Sequence, residues 1–390
     1  MREISSDERR ARLALRHGLA GPVPGIAEAS RAMVGLHSSD PVTVYLSARA
    51  RTKDMTPADV EEALYEEKTV VRMIGMRRTL FVLPREMAPI VHHSSSLPLY
   101  QSQRKRTARM LEEAGVTDSG ADWVDVVGEK TIQALRRLGE ATARELTAEI
   151  PELGEKMTIY KRDGSPMGTF GASTRILFLL AVGGEIVRGR PMGSWVSSMY
   201  RWATMERWLG APLEPFDRRR AQAMLIRPLL RAFGPTTEID VKWWTGWPVT
   251  QVRAALEDVD AVEVRIEGGT GWVLPDDVGP VDQPDHWVRL LPSLDSTTMG
   301  WKERAWYLGG HEDDLFDRNG NAGQTIWVDG KVVGGWAQRP TGEIAWELLE
   351  RVEPATIKEI ARQARLLSDW LDGVVVTPRF PSPMDKRLSR

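Results

Sequence analysis

One plan recurs three times in this 390-residue chain: a short polar-capped helix, a second amphipathic helix, then two β-rich runs joined by a tight turn. Each copy switches from a hydrophobic period near 3.6 to a period of 2, and a segment patterned for one cannot settle as the other. The middle copy is the most legible. Ala141-Thr-Ala-Arg-Glu-Leu-Thr leads to a helical run from Ala172 to Val182, a Gly183-Gly184 break, and strands over Glu185 to Arg190 and Ser194 to Arg201. In the third copy, residues 249 to 258 (VTQVRAALED) have helical period, and Val262 to Glu267 and Gly271 to Leu274 alternate around Gly268-Gly269-Thr270. The first pairs Pro57 to Glu67 with runs over Val70 to Met76 and Arg78 to Leu83. Helix followed by hairpin is the winged-helix plan, and three copies predict an α+β chain shaped to lie along a nucleic-acid duplex.

The chain is 42% hydrophobic and 27% charged, enough to bury several cores. It contains no cysteine, which excludes disulfides, thiolate nucleophiles, cysteine-ligated zinc and iron-sulfur clusters, and suits a reducing compartment; a cytoplasmic location is expected. The N-terminal MREISSDERRARLALRHGLA lacks an apolar stretch of signal-peptide length, and the longest apolar run, Ile176 to Val182, is too short to span a bilayer, so no membrane role is expected. A net charge of -2 means that any footprint for a polyanion must be local. From 171 to 231 ten arginines face four acids (Glu185, Glu206, Glu214, Asp217), a net of +6, whereas 251 to 320 carries six basic against fifteen acidic residues, a net of -9. The first stretch suits phosphates and the second repels them; solvated faces are the plainer reading of such blocks.

Helices are expected over 7 to 17, 25 to 36, 41 to 52 behind the Asp40-Pro41 cap, 121 to 138, and most of 85 to 115 with a break at Ser94 to Pro98. Beyond residue 284 short strands take over: Trp287 to Leu291, Ala305 to Leu308, Thr325 to Val328, Lys331 to Ala337 and Glu343 to Glu347, with Asp329-Gly330 as a hairpin turn. Fourteen of fifteen tryptophans lie beyond residue 190, which suits a small β-barrel closed by a helix over 354 to 371 and a strand over 373 to 377, with PSPMDKRLSR as a loose tail. The expected division is 1-118 (winged helix with N-terminal helices), 119-214 and 215-283 (winged helices), and 284-390 (C-terminal β-barrel).

Five segments carry a family resemblance: Ala32-Met-Val-Gly-Leu-His-Ser-Ser-Asp-Pro, Val71-Arg-Met-Ile-Gly-Met-Arg-Arg-Thr-Leu-Phe-Val-Leu-Pro, Phe233-Gly-Pro-Thr-Thr-Glu-Ile-Asp, Leu290-Leu-Pro-Ser-Leu-Asp and Val328-Asp-Gly-Lys-Val-Val-Gly-Gly-Trp. In order and spacing, from near residue 10 to near residue 377, the chain resembles the bacterial winged-helix DNA glycosylases of the AlkZ/YcaQ type. The resemblance implies a C-shaped DNA channel of three winged helices and a barrel, and excision of bulky or crosslinked N7-alkylated purines from double-stranded DNA. It also implies a catalytic Gln-x-Gln or Gln-x-Asp triplet following a Gly-Leu or similar pair. Here Gly35-Leu36 precedes His37-Ser38-Ser39, so His37 stands for the first glutamine and Ser39 for the second polar residue.

An N7-alkylated purine is cationic and leaves without protonation, so the enzyme must hold the lesion, stabilise an oxocarbenium-like sugar and position or deprotonate one water. His37 can accept the water's proton, with Ser39 orienting it and Asp40 keeping the imidazole basic; Asp40 before Pro41 equally reads as a helix N-cap. Candidate DNA contacts are Arg72, Arg77 and Arg78 in the first hairpin, with Arg72 and Arg78 on one face if the strands alternate. To these are added Arg104 and Arg106, with Lys105 and Arg109, and Arg188 and Arg190 of the second wing opposite Trp195 and Tyr200. Arg218 to Arg220 open a helix, and Lys161-Arg-Asp-Gly-Ser-Pro-Met-Gly is a DNA-probing finger or a surface turn. His92 and His93 are adjacent and point apart on a helix, so no metal site is expected; His17, His286 and His311 lack chemical neighbours. Asp295 reads as a turn cap rather than a general acid. No motif calls for a cofactor. A monomeric, monofunctional DNA glycosylase is the leading expectation, and a non-catalytic winged-helix regulator or lesion sensor the alternative.

Overall fold

The computed structural model describes residues 1–160 and 165–390; the expected finger at 161–168 therefore falls largely outside the described residues. The chain forms two compact units. The first holds Met1–Val71, Phe81–Arg85 and Gln222–Arg390, and the second Arg72–Leu80 and Glu86–Ala221.

In the first unit α1 (Ser6–Arg16) begins where the Ser5 hydroxyl accepts the Glu8 amide. It is followed by α2 (Ile26–Ala32), β1 (Leu36–His37), α3 (Pro41–Arg51) and α4 (Pro57–Glu61), the last opened by a Thr56/Asp59 capping box and prolonged by a π-helical turn, Glu62–Glu66. The hairpin β2 (Val70–Ile74) and β3 (Leu80–Pro84) completes a sheet of order β1-β3-β2, with Leu36 opposite Val82 and His37 opposite Phe81. Its base lies in the first unit and its tip, Arg72–Leu80, in the second.

The second unit continues with α5 (Ala88–Val91), α6 (Leu97–Glu113), α7 (Gly120–Leu138), β4 (Glu140–Thr142), α8 (Ala143–Glu149), the hairpin β5 (Lys156–Tyr160) and β6 (Pro166–Gly171), α9 (Ala172–Val182), β7 (Ile186–Pro191), β8 (Tyr200–Thr204) and α10 (Met205–Leu209). Thr142 and Glu145 form a capping box that starts α8 straight out of β4. The sheet order is β4-β8-β7. Leu146, Ile176, Leu180 and Ile186 pack with Leu135 of α7 and Leu111 of α6 into one core, which also takes Ile74 and Leu80 from the hairpin tip. Strand β8 starts at Tyr200, not near Ser194 as expected, because Ser194–Ser197 close a turn.

Helix α11 (Arg218–Phe233) leads back to the first unit, where α12 (Glu238–Thr245), α13 (Val249–Asp258), β9 (Val262–Ile266) and β10 (Gly269–Val273) follow. Thr236 bridges Trp272 of β10, so the order Thr236-β10-β9 repeats that of the other two sheets. The remainder comprises β11 (Val288–Leu291), α14 (Ala305–Leu308), α15 (Glu312–Leu315), β12 (Thr325–Val328), β13 (Lys331–Gln338), β14 (Ile344–Leu348), α16 (Pro354–Leu371) and α17 (Pro383–Leu388). The four strands form an open antiparallel sheet in the order β11-β12-β13-β14, and no barrel closes among the described residues. Two expected strands are missing from it. Residues 305–308 are helical, and at 373–377 the Val376 amide instead donates to the Gln338 side chain. The tail is ordered: Ser382 and Asp385 cap α17 reciprocally and Met384 is fully buried.

Candidate active site and nucleic-acid interface

His37 ends β1 and follows a turn that only a particular backbone can make. Val34 has φ +55° and Gly35 φ +129°, and a Cβ on residue 35 would sit 2.6 Å from Leu83 Cδ2. Glycine is what lets β1 lie against β3. A β-branched residue in the left-handed region costs about 1–3 kcal/mol; the turn is held by the Gly35 amide donating to Ser30 O at 2.8 Å and that of Val34 to Arg31 O at 3.1 Å. From the other side the Ser296 hydroxyl donates to Gly35 O (2.9 Å) and accepts the His37 amide (3.2 Å).

The imidazole is 7% exposed and meets the Phe81 ring edge-on at 5.5 Å. Its Nδ1 accepts the Ser39 amide at 3.5 Å. In a neutral ring that contact leaves the proton on Nε2, so the side chain offers a donor there, as a glutamine amide would. Ser39 is partly exposed, and its carbonyl accepts Arg379 Nη1 at 3.4 Å. Asp40 is buried as the α3 cap, its oxygens accepting the amides of Val42 (3.2 Å) and Arg379 (2.8 Å). Burial pushes its carboxyl above the usual range, opposed by those two bonds. Of the two roles open to Asp40, this geometry is the cap.

Beneath this segment lies a buried polar network. Asp295 and Arg51, both fully buried, pair through two oxygens at 2.6 and 2.8 Å, and Asp295 also accepts the Ser47 hydroxyl (2.5 Å) and the Thr297 amide (2.9 Å). Burial alone would raise this carboxyl; Arg51 and the hydrogen bonds hold it below its ordinary value. Asp295 is thus a turn cap, as expected, and also half of an ion pair that sequence did not reveal. Arg51 reaches on to Thr297 Oγ1 at 2.7 Å, which lies 2.9 Å from His17 Nδ1. His17 Nε2 is 3.1 Å from Ala232 O, and burial pushes its pKa down to about 3. It is a neutral structural histidine between Phe233 and Trp301.

In the second unit the arginines separate into two groups. The strand alternation expected at the first hairpin does not occur, because Met76–Arg78 form a 3-10 turn with Arg77 and Arg78 both left-handed (φ +53° and +63°). Arg72 and Arg78 therefore share no strand face. Arg72 is 2% exposed with its guanidinium 4.8 Å over the Tyr200 ring, a buried stem residue rather than a phosphate contact. Arg104 is committed as well, to Asp125 and to Ala121 O (3.2 Å).

Arg78 and Arg106 are exposed, and Arg188 and Arg190 half-buried. The register places Trp202 opposite Arg188 and Tyr200 opposite Pro191; Arg188 lies 5.2 Å over the Trp202 ring and 5.4 Å over Tyr200. Arg77, Arg78 and Arg188 join Arg175, Phe170, Phe178 and Trp202 around a cleft of about 550 Å³. Arg175 and Phe178 on α9 and Arg379 beside Ser39 escaped sequence reading. The +6 charge block contained Arg175 but did not single it out.

His92 and His93 do not point apart. Their segment is π-helical, and the rings meet edge-on at 4.9 Å. Among the described residues no three His, Cys, Asp or Glu side chains are placed to hold a metal ion, and no described helix is long and apolar enough to cross a membrane.

With this geometry in hand, the sequence matches the family model described as DNA glycosylase AlkZ-like over residues 30–370. The chain belongs to the AlkZ-like DNA glycosylase family, a DNA-binding group of DNA-repair hydrolases associated with alkylation damage. Among solved structures it is similar to Streptomyces sahachiroi DNA glycosylase AlkZ, with a TM-score of 0.74 and 20% identity over 97% of this chain and 99% of that one, a likeness of fold. No curated protein matches the sequence.

Proposed function

We propose that this protein is a monofunctional DNA glycosylase that hydrolyses the N-glycosidic bond of N7-alkylated purines, bulky or crosslinked adducts included, while gripping duplex DNA as a monomer through three tandem winged helices. The order first strand, third strand, second strand recurs in β1-β3-β2, β4-β8-β7 and Thr236-β10-β9, which supports the division at 1–118, 119–214, 215–283 and 284–390. The cationic base departs unaided, and the remaining task is to hold one water against the sugar. His37 does this as an Nε2–H donor, Ser39 flanks it and Arg379 steadies the Ser39 carbonyl. Arg77, Arg78, Arg106, Arg188 and Arg190 hold phosphates, while Arg72 and Arg104 brace the elements that carry them.

The observation that carries this reading is His37-Ser38-Ser39 at the family's catalytic position, on a strained turn that Gly35 and Ser296 lock from two sides. Burial of the imidazole to 7% exposure favours a second reading, a lesion sensor that binds without cleaving. The test is to incubate the protein with duplex DNA containing 7-methylguanine and count abasic sites by alkaline cleavage. Strand breaks that disappear in His37→Ala are expected. Tight binding with no breaks from the unmutated protein would replace the glycosylase with the sensor.

A further inference from the structure

The cleft in the second unit has a composition that the hydrolysis of a glycosidic bond does not require. Among the described lining residues the charged ones are all arginine: Arg77 and Arg78 from the hairpin tip, Arg175 from α9 and Arg188 from the wing. No described acid pairs with Arg78, Arg106 or Arg175. Arg175 lies 5.1 Å over the Phe170 ring with its Nε buried and unpartnered, and burial, then the like charges of Arg106 and Arg78, lowers its pKa. Arg78, Arg106 and Arg175, like charges to which no described acid is paired, are placed to take an anion from outside. Arg77 and Arg78, both left-handed at the tip, fix the path of the backbone that carries them.

A phosphate alone would need no more than those guanidiniums. The cleft holds about 550 Å³, and Phe170, Leu177, Phe178 and Trp202 give it an apolar wall, the combination that receives an unstacked base together with its phosphate. We propose that this cleft seats one unpaired nucleotide of the bound DNA, its phosphodiester on Arg78 and Arg175 and its base against Phe178. The site lies apart from the His37 segment in sequence and function, and rests on the reading of the protein as DNA-binding. A lesion that distorts the duplex would thereby be recognised by the nucleotide it displaces, whatever the adduct itself looks like.

The test uses lesion-free 20-mer duplexes, one fully paired and one with a single bulged 2-aminopurine, so that no turnover is needed. Anisotropy gives affinity, and quenching of the 2-aminopurine reports stacking. Arg78→Ala and Arg175→Ala should each weaken the bulged duplex roughly fivefold to tenfold and flatten the log K against log salt slope by about one. Phe178→Leu, which removes the ring but keeps an apolar side chain, should abolish the quenching and weaken the bulged duplex about fivefold or more while leaving the paired duplex unchanged. Lys358→Ala, exposed on α16, should change nothing, and matched thermal melts should show each variant folded. Equal losses on both duplexes in Phe178→Leu, or arginine variants with an unaltered salt slope, would overturn the proposal. Abasic-site formation that persists while the cleft variants bind normally overturns the cleft alone; normal cleft behaviour without turnover overturns the glycosylase alone.

Discussion

Arg51 and Arg175 are the same side chain put to opposite uses in the two units. Arg51 is fully buried and spends its guanidinium on Asp295, Thr297 and the Ser47 carbonyl. Arg175 has an aromatic ring for company, two further arginines nearby and no acid among the described residues paired to it. A buried cation is costly unless it is paired, and Asp295 offsets that cost for Arg51 in the network beneath His37. In the second unit Arg78, Arg106 and Arg175 have no described acid paired to them. Net charge conceals such local contrasts, because the +6 of residues 171–231 and the -9 of residues 251–320 largely offset one another in an overall -2.

The widest gap between the two should appear in stability. Asp295→Ala strands the Arg51 guanidinium and is expected to cost about 3–5 kcal/mol in denaturant unfolding, whereas Arg175→Ala should cost less than about 1. The double replacement Arg51→Met with Asp295→Leu should recover much of the loss. A single Asp295 variant as stable as the unmutated protein would erase the distinction.

Next comes catalysis at the segment which that network supports. His37→Ala should lower abasic-site formation about a hundredfold or more with DNA affinity kept. His37→Gln should restore much of the rate, because glutamine also offers a donor and the Ser39 amide contact implies that His37 acts as one. An inactive glutamine variant that still binds DNA would point to a proton-accepting imidazole instead.

Helix boundaries were legible because period and punctuation are local: α9, α13 and α16 begin and end where the apolar spacing and the Gly or Pro residues put them. What failed was non-local. Ala305–Leu308 is a short apolar run like that of a buried strand but folds as one helical turn around buried Tyr307, and among the described residues the sheet stays open, the Val376 amide donating to the Gln338 side chain. The same holds for the site. His37 was found from its neighbours in sequence, while Ser296 and Arg379, more than 250 residues away, were invisible. Arg72 was misassigned because β2 is buried on both faces, and its pairing with Arg78 because a hairpin's alternation was carried through residues that form a 3-10 turn.

Acid should act on the first unit through His17. Its pKa of about 3 lies below the 6.5 of an ordinary histidine, so the unfolded chain takes up the proton first and stability falls as pH drops from about 6.5 towards 3. Asp385, raised to about 6 by burial, works the other way, losing its contribution as pH rises from 3.8 through 6. Each group contributes a slope of at most about 1.4 kcal/mol per pH unit. His17→Gln can donate to Ala232 O without titrating, and its unfolding free energy should decline less on acidification. An identical acid profile would show that His17 is protonated in the folded protein.

The smallest effect tests the contrast within one helix. Arg104 and Arg106 are two residues apart on α6, yet Arg104 is tied to Asp125 and Arg106 is exposed beside Arg175. The Asp125 carboxylate is more than half exposed, so solvent screens the pair and Arg104→Ala should cost less than about 1 kcal/mol in stability. It should leave the salt slope of DNA binding alone, because that guanidinium is already answered by a protein carboxylate. Arg106→Ala should do the reverse, with unchanged melting and a slope flatter by about one. If the two variants exchange these behaviours, pairing with a protein acid does not decide which arginines are left for DNA.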